Sequence, residues 1–336
     1  MQCMKLTAEK IFGNKIFAAI CAVFCCILWG SAFACIKKGY EIFGIENDFR
    51  SQIVFAGIRF FIAGIMAICF GSVTEKKFLY PKKSSLGYVG ALALTQTVIQ
   101  YVFFYIGLSN TTGVTASVIN GASNLFAIVI ACIIGQEKFT VKKGVGCILG
   151  FGGVTLASLA QGVSGGFSVT GEGFILISAL SYGFSSALIK KFSKKENPIT
   201  LSGYQFLLGG AVMIIIGVAL GGRITKITVG GAFLLLYMAF ISAAAYSLWG
   251  MLLKYNPVSQ IAIFGFVNPI AGSLLSAVIL KEYSAVSYFT AIALVLVAAG
   301  IFVVNYKKKT KPQPTAGVPT DEKAEQAEEK EENKNG

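Results

Sequence analysis

The chain has 336 residues, 55% of them hydrophobic and 13% charged. A soluble protein carries about a quarter charged residues, and the apolar residues here fall in blocks too long for a soluble core, which excludes a water-soluble enzyme or binding domain. The formal net charge of +13 does not point to nucleic acid, because the lysines cluster in short segments between apolar runs, the topology signal of a polytopic membrane protein.

Ten apolar runs follow in order, at about 16–36, 52–73, 86–108, 113–135, 144–160, 172–189, 199–220, 229–252, 258–280 and 285–305. All are expected to be helices, since open backbone in lipid leaves its amides unsatisfied. No small-residue cleavage site ends the first run early, so no cleavable signal peptide is expected. With the N-terminal segment 1–15 inside, Lys76, Lys77, Lys82, Lys83, Lys138, Lys142, Lys143, Lys190, Lys191, Lys194 and Lys195 share its side. Lys37, Lys38, Arg50, Arg223, Lys226 and Lys281 fall on the other. That bias places both termini in the cytoplasm. The ninth run contains 20 uncharged residues, Ile261 to Leu280, enough for one continuous spanning helix, with Asn268 and Pro269 near its middle and Glu282 at its end. After the tenth run, 306–336 is rich in Pro, Glu and Lys and reads as a disordered cytoplasmic tail. The eight cysteines form no CxxC pair and read as small apolar packing residues.

The chain repeats itself. Trp29 to Lys38 reads WGSAFACIKK and Tyr182 to Lys191 reads YGFSSALIKK. Arg59-Phe60 answers Gln205-Phe206, and Glu137 answers Glu282. Asn124 precedes Glu137 by the same 13 residues that separate Pro269 from Glu282. One repeat covers 16–160 and the other 170–305. Each holds five runs, an odd number, so the second should lie upside down relative to the first. The expected fold is an all-α membrane protein of ten transmembrane helices in two inverted five-helix repeats, the plan of transporters that work by alternating access.

Trp29-Gly30-Ser31, Arg59-Phe60 and the Pro269-to-Glu282 helix, combined with this duplication, resemble the drug/metabolite transporter superfamily, specifically proteins built from two EamA-like domains. The resemblance covers nearly the whole chain except the tail. It departs from the family pattern at Asn124, where the first repeat usually has Pro, and at Gln205, where an Arg is expected. It implies export of a small metabolite, commonly an amino acid or derivative, across a bacterial inner membrane. Members also handle sugars, nucleotide precursors and drugs.

Several residues are candidates for the substrate site. Arg59 is a charge deep within a span and must face a cavity or a partner. It is expected either to hold a substrate carboxylate in bidentate fashion or to bind neighbouring carbonyls. Gln96 and Gln100 share a helical face at i, i+4, and Asn120 and Asn124 do the same on the next helix. Their second-half counterparts are Tyr204, Gln205, Tyr246, Phe264 and Asn268. Such a lining of amides and aromatics suits a zwitterionic or amphipathic small molecule. Trp249 also fits an interfacial belt. Pro269 is a candidate hinge, because proline frees a carbonyl near Phe264 or Gly265. Asn124, without a ring, should leave its helix unkinked, so the two halves should flex differently. Glu137 and Glu282 are expected as structural brackets that start the next helix or pair with Lys138, Lys142 or Lys281.

The absences narrow the mechanism. The sequence has no histidine, no P-loop and no carboxylate inside a span beyond end positions such as Glu172. No cofactor, metal or nucleic acid is expected. The expected partners are a small-molecule substrate and membrane lipids, with the chain a monomer or a homodimer. The competing readings are a sugar, nucleotide-sugar or drug transporter of the same fold, and a non-transporting membrane enzyme or scaffold.

Overall fold

The computed structural model describes residues 9–159, 167–283 and 288–305. The tail at 306–336 lies outside the described residues. Within them every regular element is helical. These are α1 (Lys15–Phe43), α2 (Phe49–Thr74), α3 (Lys83–Ser109), α4 (Gly113–Ile133), α5 (Val141–Leu159), α6 (Val169–Phe192), α7 (Pro198–Ala219) and α8 (Val229–Tyr255). Next come α9, in the pieces Val258–Ala262, Ile263–Phe266 and Val267–Leu280, and α10 (Tyr288–Asn305).

The helix starts are written locally. Asn14, Asp48, Thr112, Asn197 and Thr228 each accept backbone amides of the first turn that follows, satisfying donors that helix geometry leaves free. Pro198 sits in the first turn of α7, where its missing N–H costs nothing.

Seven helices, α1 to α4 and α6 to α8, are long and apolar enough to cross a membrane. α9 is not one continuous helix but three pieces. Pro269 offers no amide to the Gly265 carbonyl and its ring crowds that group. The turn ahead of it tightens into a 3₁₀ segment at Ile263–Phe266. The twin helix α4 is interrupted as well, between Gly113–Asn120 and Ala122–Ile133. The joint is Gly121, whose lack of a side chain weakens a helix interior. Asn124 thus does not mark an unbroken helix, and both halves carry a break at matching depth. In α3 the residues Ala93–Ile99 form a π-helical stretch.

Outward-facing side chains such as Phe70, Val73, Ile133 and Phe233 are exposed and apolar, a surface suited to hydrocarbon. Inside, the two halves interlock reciprocally. α1 packs on α8 and α9, while α6 packs on α3 and α4; α2 packs on α7, and α5 on α10. Glycines set the α2–α7 seam. A Cβ on Gly57 would meet Ile214 and Gly210, one on Gly64 would meet Leu207 and Gly203, and one on Gly71 would meet Ile199. As numbers rise along α2 they fall along α7, so these helices run antiparallel. α4 and α9 do the same: Gly113 lies against Ser276, Ser117 against Gly272 and Asn124 against Gly265.

One loop contact has a pH signature. Glu196 accepts the Lys82 amide at 3.0 Å and the Asn197 amide at 3.0 Å, tying the α6–α7 connection to the α2–α3 connection. Burial alone would raise its carboxyl, but these amides and the Ser85 hydroxyl outweigh burial and hold it below the ordinary glutamate value. A lowered native pKa contributes stability that is complete above the ordinary value and is lost as pH falls through the native one. Melting temperature in detergent should therefore drop on the acid side, and Glu196→Gln should flatten that acid limb. An acid limb identical in wild type and variant would contradict this assignment.

Candidate functional site

The breaks in α4 and α9 face a cavity of about 50 Å³ between the two halves. Its wall includes Trp29 and Phe33 from α1, Arg59 from α2, and Gln100 and Tyr101 from α3. Asn120, Ser123 and Asn124 from α4, Tyr182 from α6, Tyr246 from α8, and Gly265 and Asn268 from α9 complete it. This volume holds about one or two water molecules.

Arg59 is 1% exposed. Its Nε donates to the Met238 carbonyl at 3.1 Å, Nη1 to the Tyr105 hydroxyl at 2.9 Å, and Nη2 to Ser242 Oγ at 3.0 Å. The guanidinium also lies over the Phe60 ring, 5.1 Å from its centre. Among the described residues no carboxylate lies within ion-pair distance of it. A guanidinium has five N–H donors, so two remain beyond these three bonds, and Arg59 is among the residues that line the cavity. Across the wall, Tyr101 and Tyr246 share a hydroxyl hydrogen bond of 2.5 Å, and Gln100 Nε2 donates to Tyr246 at 3.2 Å. Trp29 stacks edge-on against Tyr246 and Trp249, each 5.0 Å away centre to centre, and against Tyr182 at 6.3 Å.

Of the residues expected at the site, Arg59, Gln100, Asn120, Asn124, Tyr246 and Asn268 meet at this cavity. Gln96 and Gln205 do not line it. They hydrogen-bond to one another, Gln205 Nε2 to Gln96 Oε1 at 2.5 Å, clasping α3 to α7. Gln96 lies within the π-helical stretch and Gln100 just past its end. Tyr204 points away and donates to the Leu79 carbonyl at 3.0 Å. Phe264 packs beside these residues, and its carbonyl accepts the Cys26 thiol at 3.3 Å. Pro269 sits just past the break, with its carbonyl 3.4 Å from Ser117 Oγ.

Trp29, Tyr101 and Tyr182 were missed. Trp29 and Tyr182 hold matching positions in the WGSAFACIKK and YGFSSALIKK segments, so the repeat itself carried the signal. Trp249 is 4% exposed and packs on Trp29, which removes it from any interfacial belt.

Glu137 and Glu282 lie at opposite ends of the α4–α9 pair. Glu282 accepts the Gly113 and Val114 amides at 3.1 Å each, at the start of α4, and pairs with Lys37 at 3.4 Å. Glu137 accepts the Ser259 amide at 3.1 Å, at the start of α9, and pairs with Lys143 at 3.0 Å. Each carboxylate thus caps the N-terminus of the other helix. The expectation that they open the next helix in sequence is corrected: the helix each one caps belongs to the other half.

The family model for the EamA-like transporter family matches the chain twice, over 16–159 and 169–306. The chain belongs to the EamA-like transporter family. It is an integral, multi-pass membrane protein of that family. An uncharacterized transporter of Bacillus subtilis is 26% identical over 93% of this chain and 98% of its own length. One from Archaeoglobus fulgidus is 26% identical over 83% and 95%. A WAT1-related chloroplastic protein of Arabidopsis thaliana is 24% identical over 83% of this chain and 67% of its own. Among solved structures, a crystal structure with a TM-score of 0.64 and 16% identity covers 85% of this chain and 96% of that one, a likeness of fold. In this EamA-like chain the cavity lies where the two matched segments meet.

Proposed function

We propose that the protein carries a small carboxylated metabolite, an amino acid or derivative, out of the cell by alternating access between two inverted five-helix repeats. The observation that carries this reading is Arg59, a buried cation without a carboxylate partner, on the wall of a cavity flanked by two interrupted helices. A charge inside a membrane costs at least a few kcal/mol, and a substrate carboxylate would offset it. Antiparallel contact between matching helices, α2 with α7 and α4 with α9, supports inversion. The lysine bias supports a cell-membrane location with both termini in the cytoplasm. Among the described residues no carboxylate borders the cavity, which favours facilitated export over proton coupling.

At about 50 Å³ the cavity is too small for an amino acid, so the helices must part to load one. The two carboxylate caps are the ties to release. Glu282 with Lys37 closes the outer end, and Glu137 with Lys143 the cytoplasmic end. In a cysteine-free background carrying Ser123→Cys, Glu282→Gln should raise maleimide labelling from outside several-fold. Glu137→Gln should raise it from the cytoplasmic side. Equal changes on both sides would contradict this arrangement. Flux of labelled amino acids, sugars and drugs into liposomes tests the reading as a whole: amino acids should move above the rate of empty vesicles, and a panel with no flux would overturn transport.

A further inference from the structure

At one end of the bundle two connections form a single basic surface. The α2–α3 connection and the start of α3 carry Lys76, Lys77, Lys82 and Lys83; the end of α6 and the α6–α7 connection carry Lys191, Lys194 and Lys195, and all seven are exposed. They come together from opposite halves of the chain. Lys82 gives its amide to Glu196 at 3.0 Å and its Nζ to the Lys195 carbonyl at 3.3 Å. Lys195 Nζ donates to the Tyr88 hydroxyl at 3.3 Å, and the Tyr88 ring stacks on Phe192 with centres 4.3 Å apart. The glutamates of these connections are committed elsewhere. Glu75 accepts the Asn197 side-chain amide at 3.3 Å, and Glu196 is buried on backbone amides. None of the ion pairs among the described residues involves any of the seven lysines. The α4–α5 connection differs: Lys143 there is buried and paired with Glu137, and Lys138 and Lys142 are exposed.

Apolar side chains stand exposed along the same stretch: Phe70 and Val73 near the end of α2, Phe78 at 66% and Tyr80 at 73% in the connection, and Leu86 in α3. We propose that this surface binds an anionic phospholipid of the leaflet it faces, with the phosphate between the two connections and the acyl chains against these apolar residues. Clusters of about four to eight basic residues beside spanning helices attract anionic headgroups, and the attraction grows lysine by lysine. An ammonium has three donors, and Lys82 and Lys195 each spend one in the contacts above. The apolar neighbours favour a lipid over free phosphate, because a small anion would leave Phe78 and Tyr80 in water, whereas aromatic rings settle at the headgroup level of a bilayer. Lys82 and Lys83 belong to the first half, and Lys194 and Lys195 to the second. A headgroup seated among them ties the halves at this end, so bound lipid should also raise the melting temperature.

The test titrates the purified full chain in detergent with dioleoylphosphatidylglycerol, dioleoylphosphatidylcholine and glycerol phosphate. Bound lipid is counted by native mass spectrometry, and melting temperature is followed alongside. Phosphatidylglycerol should bind about fivefold or more tighter than phosphatidylcholine and raise the melting temperature further. A variant with Lys82→Gln, Lys83→Gln, Lys194→Gln and Lys195→Gln should lose that preference, with its lipid-free melting temperature near that of wild type. Lys138→Gln with Lys142→Gln, at the α4–α5 connection, should keep it. Equal binding of the two lipids overturns the proposal. Equal loss in the two sets of variants also overturns it, since the effect would then be one of diffuse charge. Displacement of phosphatidylglycerol by glycerol phosphate at equal concentration overturns the lipid and leaves a phosphate site. None of these outcomes bears on Arg59 or the cavity, so the transport reading stands or falls separately.

Discussion

Replacing Arg59 with glutamine should weaken binding of carboxylates by about ten- to a hundredfold while the protein still folds. The size follows from losing charge-assisted hydrogen bonds of about 1.5–3 kcal/mol. The choice of glutamine follows from the chain's own repeat. Gln205 stands at the position matching Arg59, and it bonds to Gln96 as Arg59 bonds to Ser242. Gln96 and Ser242 are separated by the same stretch of sequence as Arg59 and Gln205. A glutamine is therefore already accommodated at this place in the fold, reaching to the third helix of the opposite half. Size-exclusion profile and melting temperature should stay close to wild type, and Kd for the carboxylated probe should rise. If affinity is unchanged, Arg59 is only a clasp for the Met238 carbonyl, Tyr105 and Ser242.

Replacing Gly64 with leucine should be the most damaging change in the α2–α7 seam. A Cβ there would lie 2.5 Å from the Leu207 amide nitrogen and 2.7 Å from the Gly203 carbonyl oxygen. Both are backbone atoms, which cannot rotate aside as a side chain does, so the helices must separate along their length. Overpacking a core costs about 1–3 kcal/mol, and with backbone on the far side the upper end or more is expected. In lipid, close helix approach is itself the attraction, because no hydrophobic drive holds apolar helices together. Melting temperature and the yield of monodisperse protein in detergent should both fall sharply. Gly87→Ala supplies the contrast: no atom lies within 4 Å of a Cβ there, and the protein should be unaffected. Equal tolerance at both positions would refute the seam.

How much of the site was legible depended on whether the signal was local or relational. Asn120, Asn124 and Asn268 could be read one helix at a time, because an amide in an apolar run must face inward. Gln96 and Gln100 could not be separated that way. Only the tertiary contacts show that Gln96 bonds to Gln205 on α7 while Gln100 stays at the cavity beside Tyr246. Tyr204 has the amphipathic chemistry of a site residue, yet the loop carbonyl of Leu79 claims it. Trp29 and Tyr182 were visible as a repeat pair, but a repeat marks equivalence and says nothing of what the two positions face.

The sequence by itself determined the all-helical membrane class, the duplication and the polar residues that had to point inward. These follow from hydrocarbon's refusal of unpaired amides and charges, a rule that acts residue by residue. Only the tertiary structure decided where the helices break and whom the polar groups meet. The break in α4 falls at Gly121 with no proline to announce it. Glu137 and Glu282 cap helices more than a hundred residues away. Such pairings depend on which backbones approach closely enough to touch, and in this protein that is set by glycines on helices from opposite halves.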